Sequence, residues 1–263
     1  MSLTTLDWAV KADTYVSSGN IEQARACISE GEKVAGGILE WSYLANSASR
    51  IHPSKSKEYL IKMEALAQNV FDFYVCATTN DDAGNMSSAK AHMEKAESLA
   101  NYTFEWLECV SGWFSLNDLE NHHRCLLMAE KSAKDSSDWC SCAAAWFHAD
   151  KENQSKRCVE QAKQLASSVS DLCGCALMKS RINSQEAKEI ILRAEKLAAA
   201  SQDWFECENV WRLIDDALQA ERCKKLGDEA FRRNRSPEAQ NKILRQRQET
   251  FSNRHPNLSS SLR

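Results

Sequence analysis

Three prolines and eight glycines in 263 residues give this chain few residues for sharp corners, and it has no Asn-Gly pair. Nor does it hold a useful run of alternating apolar and polar residues, which excludes hairpins and sheets. No stretch reaches the ~18 consecutive apolar residues of a membrane-spanning helix. The opening Met-Ser-Leu-Thr-Thr-Leu-Asp-Trp lacks the basic and then apolar pattern of a secretory signal. A soluble, cytoplasmic protein without membrane association is therefore expected. Patterns that carry chemistry are missing too: there is no Gly-rich phosphate loop, no H-E-x-x-H and no Ser nucleophile elbow. Neither catalysis nor a cofactor is expected.

What the chain does have is a period. An acidic residue followed by a large apolar anchor recurs every 32 or 33 residues, at Asp7-Trp8, Glu40-Trp41, Asp72-Phe73, Glu105-Trp106, Asp138-Trp139, Asp171-Leu172 and Asp203-Trp204. Three residues after the anchor stands Cys76, Cys109, Cys142, Cys175 or Cys207, and seven after it Trp113, Trp146 or Trp211. Fourteen before it stand Cys27, Tyr59, His92, Cys125, Cys158 and Ile190. Offsets of 0, +3 and +7 share one face of a helix. The segment before each anchor has the same period, with Ala129 and Ala133 or Ala194 and Ala198 where a neighbouring helix approaches.

Each unit thus reads as two antiparallel helices, the anchor helix second. The acidic residue caps the anchor helix and offsets its dipole. Turn formers such as Asn20, Pro53, Asn85, Asp118, Asp150, Asn183 and Asp216 end it. A helix pair cannot bury its own apolar face, so neighbours must stack. The fold expected over residues 1–235 is all-α, a right-handed α-solenoid of about seven 33-residue helix-turn-helix repeats. The anchors Trp8, Trp41, Phe73, Trp106, Trp139, Leu172 and Trp204 are its expected seams. In the third repeat Asn80–Asn85 reads as a solvated turn, because Asn80 replaces the second Trp and two carboxylates follow.

Eleven cysteines invite a disulfide or metal reading. Pairing across each helix pair fails, since Cys76 would face Tyr59, Cys109 would face His92 and Cys207 would face Ile190. Cys is read instead as a small buried hydrophobe. The pairs Cys140/Cys142 and Cys173/Cys175 diverge on a helix, and copies in neighbouring repeats are expected about 10 Å apart, too far for one tetrahedral metal. His122, His123 and His148 read as solvated or partly packed.

Charge is uneven. From Arg232 to Arg263 eight basic residues oppose two acidic ones, leaving −10 on residues 1–231. Ser236-Pro237-Glu238 has the form of a helix start, so a basic capping helix is expected over 236–252 and a disordered tail over 253–263. Arg232, Arg233, Arg235, Lys242, Arg245 and Arg247 are the candidate partner-binding residues. They serve as a polar end cap, or they dock an acidic partner or nucleic acid.

The 33-residue period, the two-helix unit, the regular Ala positions and the aromatic near a helix start resemble the tetratricopeptide class of helical repeats. That class's Trp-Leu-Gly-Tyr and closing Pro positions are missing. The resemblance implies a non-enzymatic scaffold, adaptor or regulatory subunit (inhibitory or immunity-type) that binds a protein or peptide. An acidic body suggests a partner with a basic segment. Nucleic-acid binding through the basic C-terminal segment is the alternative.

Overall fold

The computed structural model describes residues 3–235. The expected capping helix over 236–252, the tail 253–263 and the candidate residues Lys242, Arg245 and Arg247 lie outside the described residues. The described chain is all-α, with fourteen helices and no strand: α1 (Thr5–Ser17), α2 (Ile21–Glu32), α3 (Ile38–Ser49), α4 (Pro53–Glu64), α5 (Val70–Asp82), α6 (Met86–Leu99), α7 (Thr103–Ser115), α8 (Leu119–Ser132), α9 (Ser136–His148), α10 (Glu152–Leu165), α11 (Val169–Ser180), α12 (Ser184–Leu197), α13 (Ser201–Leu213) and α14 (Ala217–Arg235). They form two compact units, one of Met1–Lys134 with Ala145–Asp150, the other of Asp135–Ala144 with the described residues from Lys151 onward.

Within the units, α1, α3, α5, α7, α11 and α13 each lie lengthwise along the helix that follows, and all but the first of them pack only lightly against the one before. Neighbouring odd helices also pack on one another, α1 on α3, α3 on α5, α5 on α7 and α11 on α13. The repeat therefore begins with its anchor helix, which corrects the expected order. The turns explain the pairing. Three residues always separate an odd helix from the next even one. In five of these turns the middle residue has positive φ, namely Gly19, Gly84, Asn117, Asp150 and Asp215. These are residue types that tolerate the left-handed region. There the chain closes with a bond from the third turn residue five positions back, as in Asp118 N–H to Trp113 C=O at 2.9 Å and Asp216 N–H to Trp211 C=O at 2.9 Å. Where β-branched Ile51 or Ile182 takes the middle place, φ stays negative. The bond then reaches four back, His52 to Ala48 at 2.8 Å and Asn183 to Lys179 at 2.7 Å.

In five dyads, those of Asp7, Asp72, Glu105, Asp171 and Asp203, the acidic residue reaches backwards. Asp171 accepts the Ser167 and Ser168 amides at 3.0 Å each, Asp203 those of Ala199 and Ala200 at 2.9 and 2.8 Å, and Glu105 those of Asn101 and Tyr102 at 2.7 and 3.1 Å. It ties down the two residues entering the helix, not the amides of the first turn. Thr4, Asn69 and Ser168 complete reciprocal capping boxes with Asp7, Asp72 and Asp171.

The anchors are less buried than expected. Trp41, Trp106 and Leu172 are buried, but Trp8, Phe73, Trp139 and Trp204 are only half-buried. The sealed residues are the second tryptophans, Trp113, Trp146 and Trp211. Each indole N–H donates to a glutamate sixteen residues earlier, at the end of the preceding even helix: Trp113 to Glu97, Trp146 to Glu130 at 2.5 Å and Trp211 to Glu195 at 2.6 Å. The same carboxylates take Arg124 (2.6 Å to Glu97) and Arg222 (2.5 Å to Glu195) from the next even helix. Where the Trp is absent the polar partner changes. Asn80 donates to Glu64 at 3.0 Å, and His92 lies 3.0 Å from the same carboxylate. Asn80 is thus a buried residue of α5 and not part of a solvated turn. In the sixth repeat Lys179 takes the Trp position and the polarity inverts. Its buried ammonium meets Glu160 at 3.0 Å and Glu186 at 2.6 Å.

None of the eleven cysteines is in a disulfide, and ten of them are buried and Cys140 half-buried. Burial pushes Cys76 and Cys109 up to about 12, so these thiols stay protonated. Ala129 and Ala194 are fully buried as expected, whereas Ala133 and Ala198 sit just past the ends of α8 and α12 and are half-exposed. Cysteines at different positions of neighbouring repeats come closer than the ~10 Å expected between copies of one position. Cys140 and Cys175 sulfurs are 3.8 Å apart and those of Cys173 and Cys207 are 3.9 Å apart. Position +1 of one odd helix faces position +3 of the next, which brings side-chain tips far closer than the helix axes.

Two outcomes follow. Trp211→Ala should cost about 3–5 kcal/mol as deletion of a fully buried aromatic, and Trp204→Ala clearly less. Glu195→Ala, which strands the indole N–H and Arg222, should cost about 1–3 kcal/mol. Urea unfolding midpoints rank the three, and equal losses for the two tryptophans would contradict the assigned burial.

The second outcome concerns acid. The Thr4 amide and hydroxyl hold the Asp7 carboxyl below its usual range, as Lys90 does for Asp118 and Lys188 for Asp216. A carboxyl with a folded pKa below its unfolded value of ~4 adds stability above that pH and loses it as pH falls through the folded value. Stability should stay level from pH ~7 to ~5 and decline below pH ~4. Urea titrations across that range measure it, and a gain in stability on acidification below pH ~4 would contradict the assignment.

Candidate interaction surface

Two residues before each anchor, a helix has turned by about 200°, so that position looks away from the core. A polar side chain belongs there, and repeats five to seven supply Ser137, Ser170 and Gln202, all exposed. Repeats one to four do not. They place Leu6, Leu39, Phe71 and Phe104 there, exposed by 48, 39, 40 and 60%. Because α1, α3, α5 and α7 pack side by side, with axes about 8–10 Å apart, these four stand at one position on successive helices and form a row. Tyr102, also exposed, stacks on Phe104 with centroids 5.9 Å apart, and the Lys134 ammonium lies 5.8 Å from the Tyr102 ring centre.

The row turns along α7. Phe104, Leu107, Ser111 and Phe114 share one face of that helix, and the last three line a pocket of about 420 Å³ with Val110, His122, Ala145 and His148. His122 is buried, its Nδ1 3.0 Å from the Val110 carbonyl oxygen and its ring 5.5 Å from that of Phe114. His123 instead meets Trp146 edge-on at 5.1 Å. Of the three histidines, His122 is therefore a core residue rather than a solvated one, and His122 and His148 share the pocket.

A second, polar pocket of about 400 Å³ opens at the C-terminal ends of α1, α3 and α5, lined by Asp13, Val16, Asn46, Ser47, Ser49, Arg50 and Asp82. Asn46 Nδ2 donates to Asp82 at 3.0 Å, while its Oδ1 is buried and accepts no hydrogen bond among the described residues. Two carboxylates against one guanidinium make this pocket net negative. The charge of the first unit agrees, with eighteen acidic residues against twelve Lys and Arg over residues 1–134.

The expected basic residues lie elsewhere. Arg232 and Arg233 are exposed on α14 in the second unit, beside exposed Lys224 and Lys225. Arg235 ends the same helix. Sequence reasoning missed the row, although its signal was present as an apolar residue at one fixed offset in four repeats and a polar one in three.

Among the described residues, no three His, Cys, Asp or Glu side chains converge as a metal-binding group. No described helix is long and apolar enough to cross a membrane. Neither a scan of protein-family models nor a search of curated proteins finds a match to this chain, so the functional reading rests on the helical repeat and its surface alone.

Proposed function

We propose that this protein is a non-enzymatic, cytoplasmic binding scaffold of tetratricopeptide-like build, acting as an adaptor or regulatory subunit. On this reading the odd-helix face of the first unit receives a segment of another protein that carries apolar side chains interleaved with Lys or Arg. One observation carries the reading, the exposed Leu6–Leu39–Phe71–Phe104 row. Nothing in the fold requires it, because the same position is polar in the second unit. Exposed apolar residues gathered on one face mark binding surfaces. The partner's charge follows from Asp13, Asp82 and the acidic first unit, since complementary potential sets specificity and encounter rate.

The test uses designed peptides of equal length in three compositions: apolar with Lys, apolar with Glu, and polar with Lys. Fluorescence anisotropy should show the apolar and Lys peptide binding tightest, with an affinity that weakens as salt rises. Phe71→Ser and Phe104→Ser together should weaken it about tenfold or more, ~1.4 kcal/mol, with an unchanged unfolding midpoint. Equal binding of the three peptides, or no effect of the double substitution, would overturn the reading.

Nucleic-acid binding is the alternative, supported by the exposed Lys224, Lys225, Arg232 and Arg233 of α14. It requires affinity for RNA or single-stranded DNA that falls steeply with salt. Charge reversal at Arg232 and Arg233 should then abolish it.

A further inference from the structure

The second unit brings thiols of successive repeats into contact twice, Cys140 of α9 with Cys175 of α11 and Cys173 of α11 with Cys207 of α13. Packing does not demand a thiol at the +1 position. In the first four repeats it is held by Ala9, Ser42, Tyr74 and Leu107. Cysteine appears there only in the fifth and sixth repeats, each time opposite another cysteine.

The two pairs differ in access and surroundings. Cys173 and Cys207 are both buried. Cys140 is half-buried, and its sulfur lies over the bare backbone of Gly174, 3.6 Å from where a side chain there would begin. Cys175 is buried, with the Ser136 hydroxyl 3.6 Å from its sulfur. The Cys140 thiol, and after it the Ser136 hydroxyl, lower the pKa of Cys175 against the effect of burial, while the contact with Cys175 and then burial raise that of Cys140, so the shared proton rests on Cys140.

We propose that Cys140 and Cys175 form a reactive dithiol that exchanges with small disulfides of the glutathione class and closes to a disulfide joining α9 and α11. The pair gives up one proton and shares the other. Cys175 takes the shared proton from Cys140 as the half-buried Cys140 sulfur attacks the external disulfide, bonds to one half and expels the other as a thiolate that takes up a proton. Cys175, its proton released, attacks the Cys140 sulfur, forms the protein disulfide and expels the second half. Two protein thiols lose two electrons and two protons, and the external disulfide leaves as two thiols. The sulfurs have to close from 3.8 Å to a bond of about 2.0 Å. The attacking and resolving roles follow from access, since Cys140 is only half-buried and Cys175 is buried.

The experiment treats the folded full chain with oxidised glutathione, blocks remaining thiols with an alkylating reagent and maps the peptides by mass spectrometry. A Cys140–Cys175 linked peptide should form and disappear with dithiothreitol, while Cys173 and Cys207 stay unlinked. Cys175→Ser should hold one glutathione on Cys140, because no thiol remains to resolve it. Cys140→Ser should take up none at position 175. Circular dichroism confirms that the variants are folded, and the unmodified chain's linked peptide decides the matter without them. Cys140 recovered wholly as the alkylated free thiol, or Cys173–Cys207 linked as readily as Cys140–Cys175, would overturn the proposal.

Discussion

The stacking of this protein depends on one recurring contact, the bond from a buried indole N–H to a glutamate at the end of the preceding even helix. An indole sealed in the core must find an acceptor, or its desolvated N–H costs on the order of 1–3 kcal/mol. A carboxylate so little exposed needs donors as badly. Glu97 and Glu195 meet both needs by gathering Trp113 or Trp211 from the next odd helix and Arg124 or Arg222 from the next even one. Cys223 adds its thiol to Glu195 at 3.1 Å. One side chain thereby fixes the position of two following helices. The substitutions show how firmly the position is held. When the indole is lost, Asn80 and His92 take over at Glu64, and at Lys179 the signs of charge exchange while the contact survives.

Much of this was legible in the sequence. The 33-residue period, the two-helix unit and the all-α class follow from the spacing of Trp and Cys. The phase was not, because a period has no beginning. Which helix pairs closely with which is decided by turn length and by the left-handed residues at Gly19, Gly84, Asn117, Asp150 and Asp215, and a hydrophobic pattern does not contain that. The glutamates escaped because a Glu near the end of an amphipathic helix, as in Ala-Glu-Ser at Glu97 or Ala-Glu-Lys at Glu195, looks like a solvated edge. Their burial exists only once a second repeat is laid against the first. The thiol contacts escaped for a related reason. Helix axes about 8–10 Å apart say nothing about tips that point at each other, and the pairing of position +1 with +3 is a property of how the helices cross.

The two units use one framework for different surfaces. Both draw their stability from the same caps and the same buried Trp, Cys and Ala positions. The first unit spends its outward first-turn positions on Leu6, Leu39, Phe71 and Phe104, and its net charge over residues 1–134 is −6. The second has Ser137, Ser170 and Gln202 there and holds the paired thiols. This separation is possible because the positions that make a repeat fold (the anchor, +3 and +7) are distinct from those that meet solvent.

That independence is also why the exposed row counts as a signal. A large apolar side chain on the first turn of a surface helix contributes almost nothing to the core, and exposing it raises the risk of unwanted association. Four such residues at one offset, followed by three polar ones at the same offset, are not explained by the demands of the helix. Beside Leu6, Phe71 and Phe104 the first-turn carboxylate is committed to the backbone entering the helix, as Asp7 is to the Thr4 amide at 2.8 Å, Asp72 to that of Gln68 at 2.9 Å and Glu105 to that of Asn101 at 2.7 Å. It therefore stays fixed in place next to the apolar side chain. An apolar row with an acidic residue beside each member, three of them held by the backbone, suits a segment that alternates the same two features with the opposite charge. Within the first unit, that fixed pattern is where partner choice would be encoded.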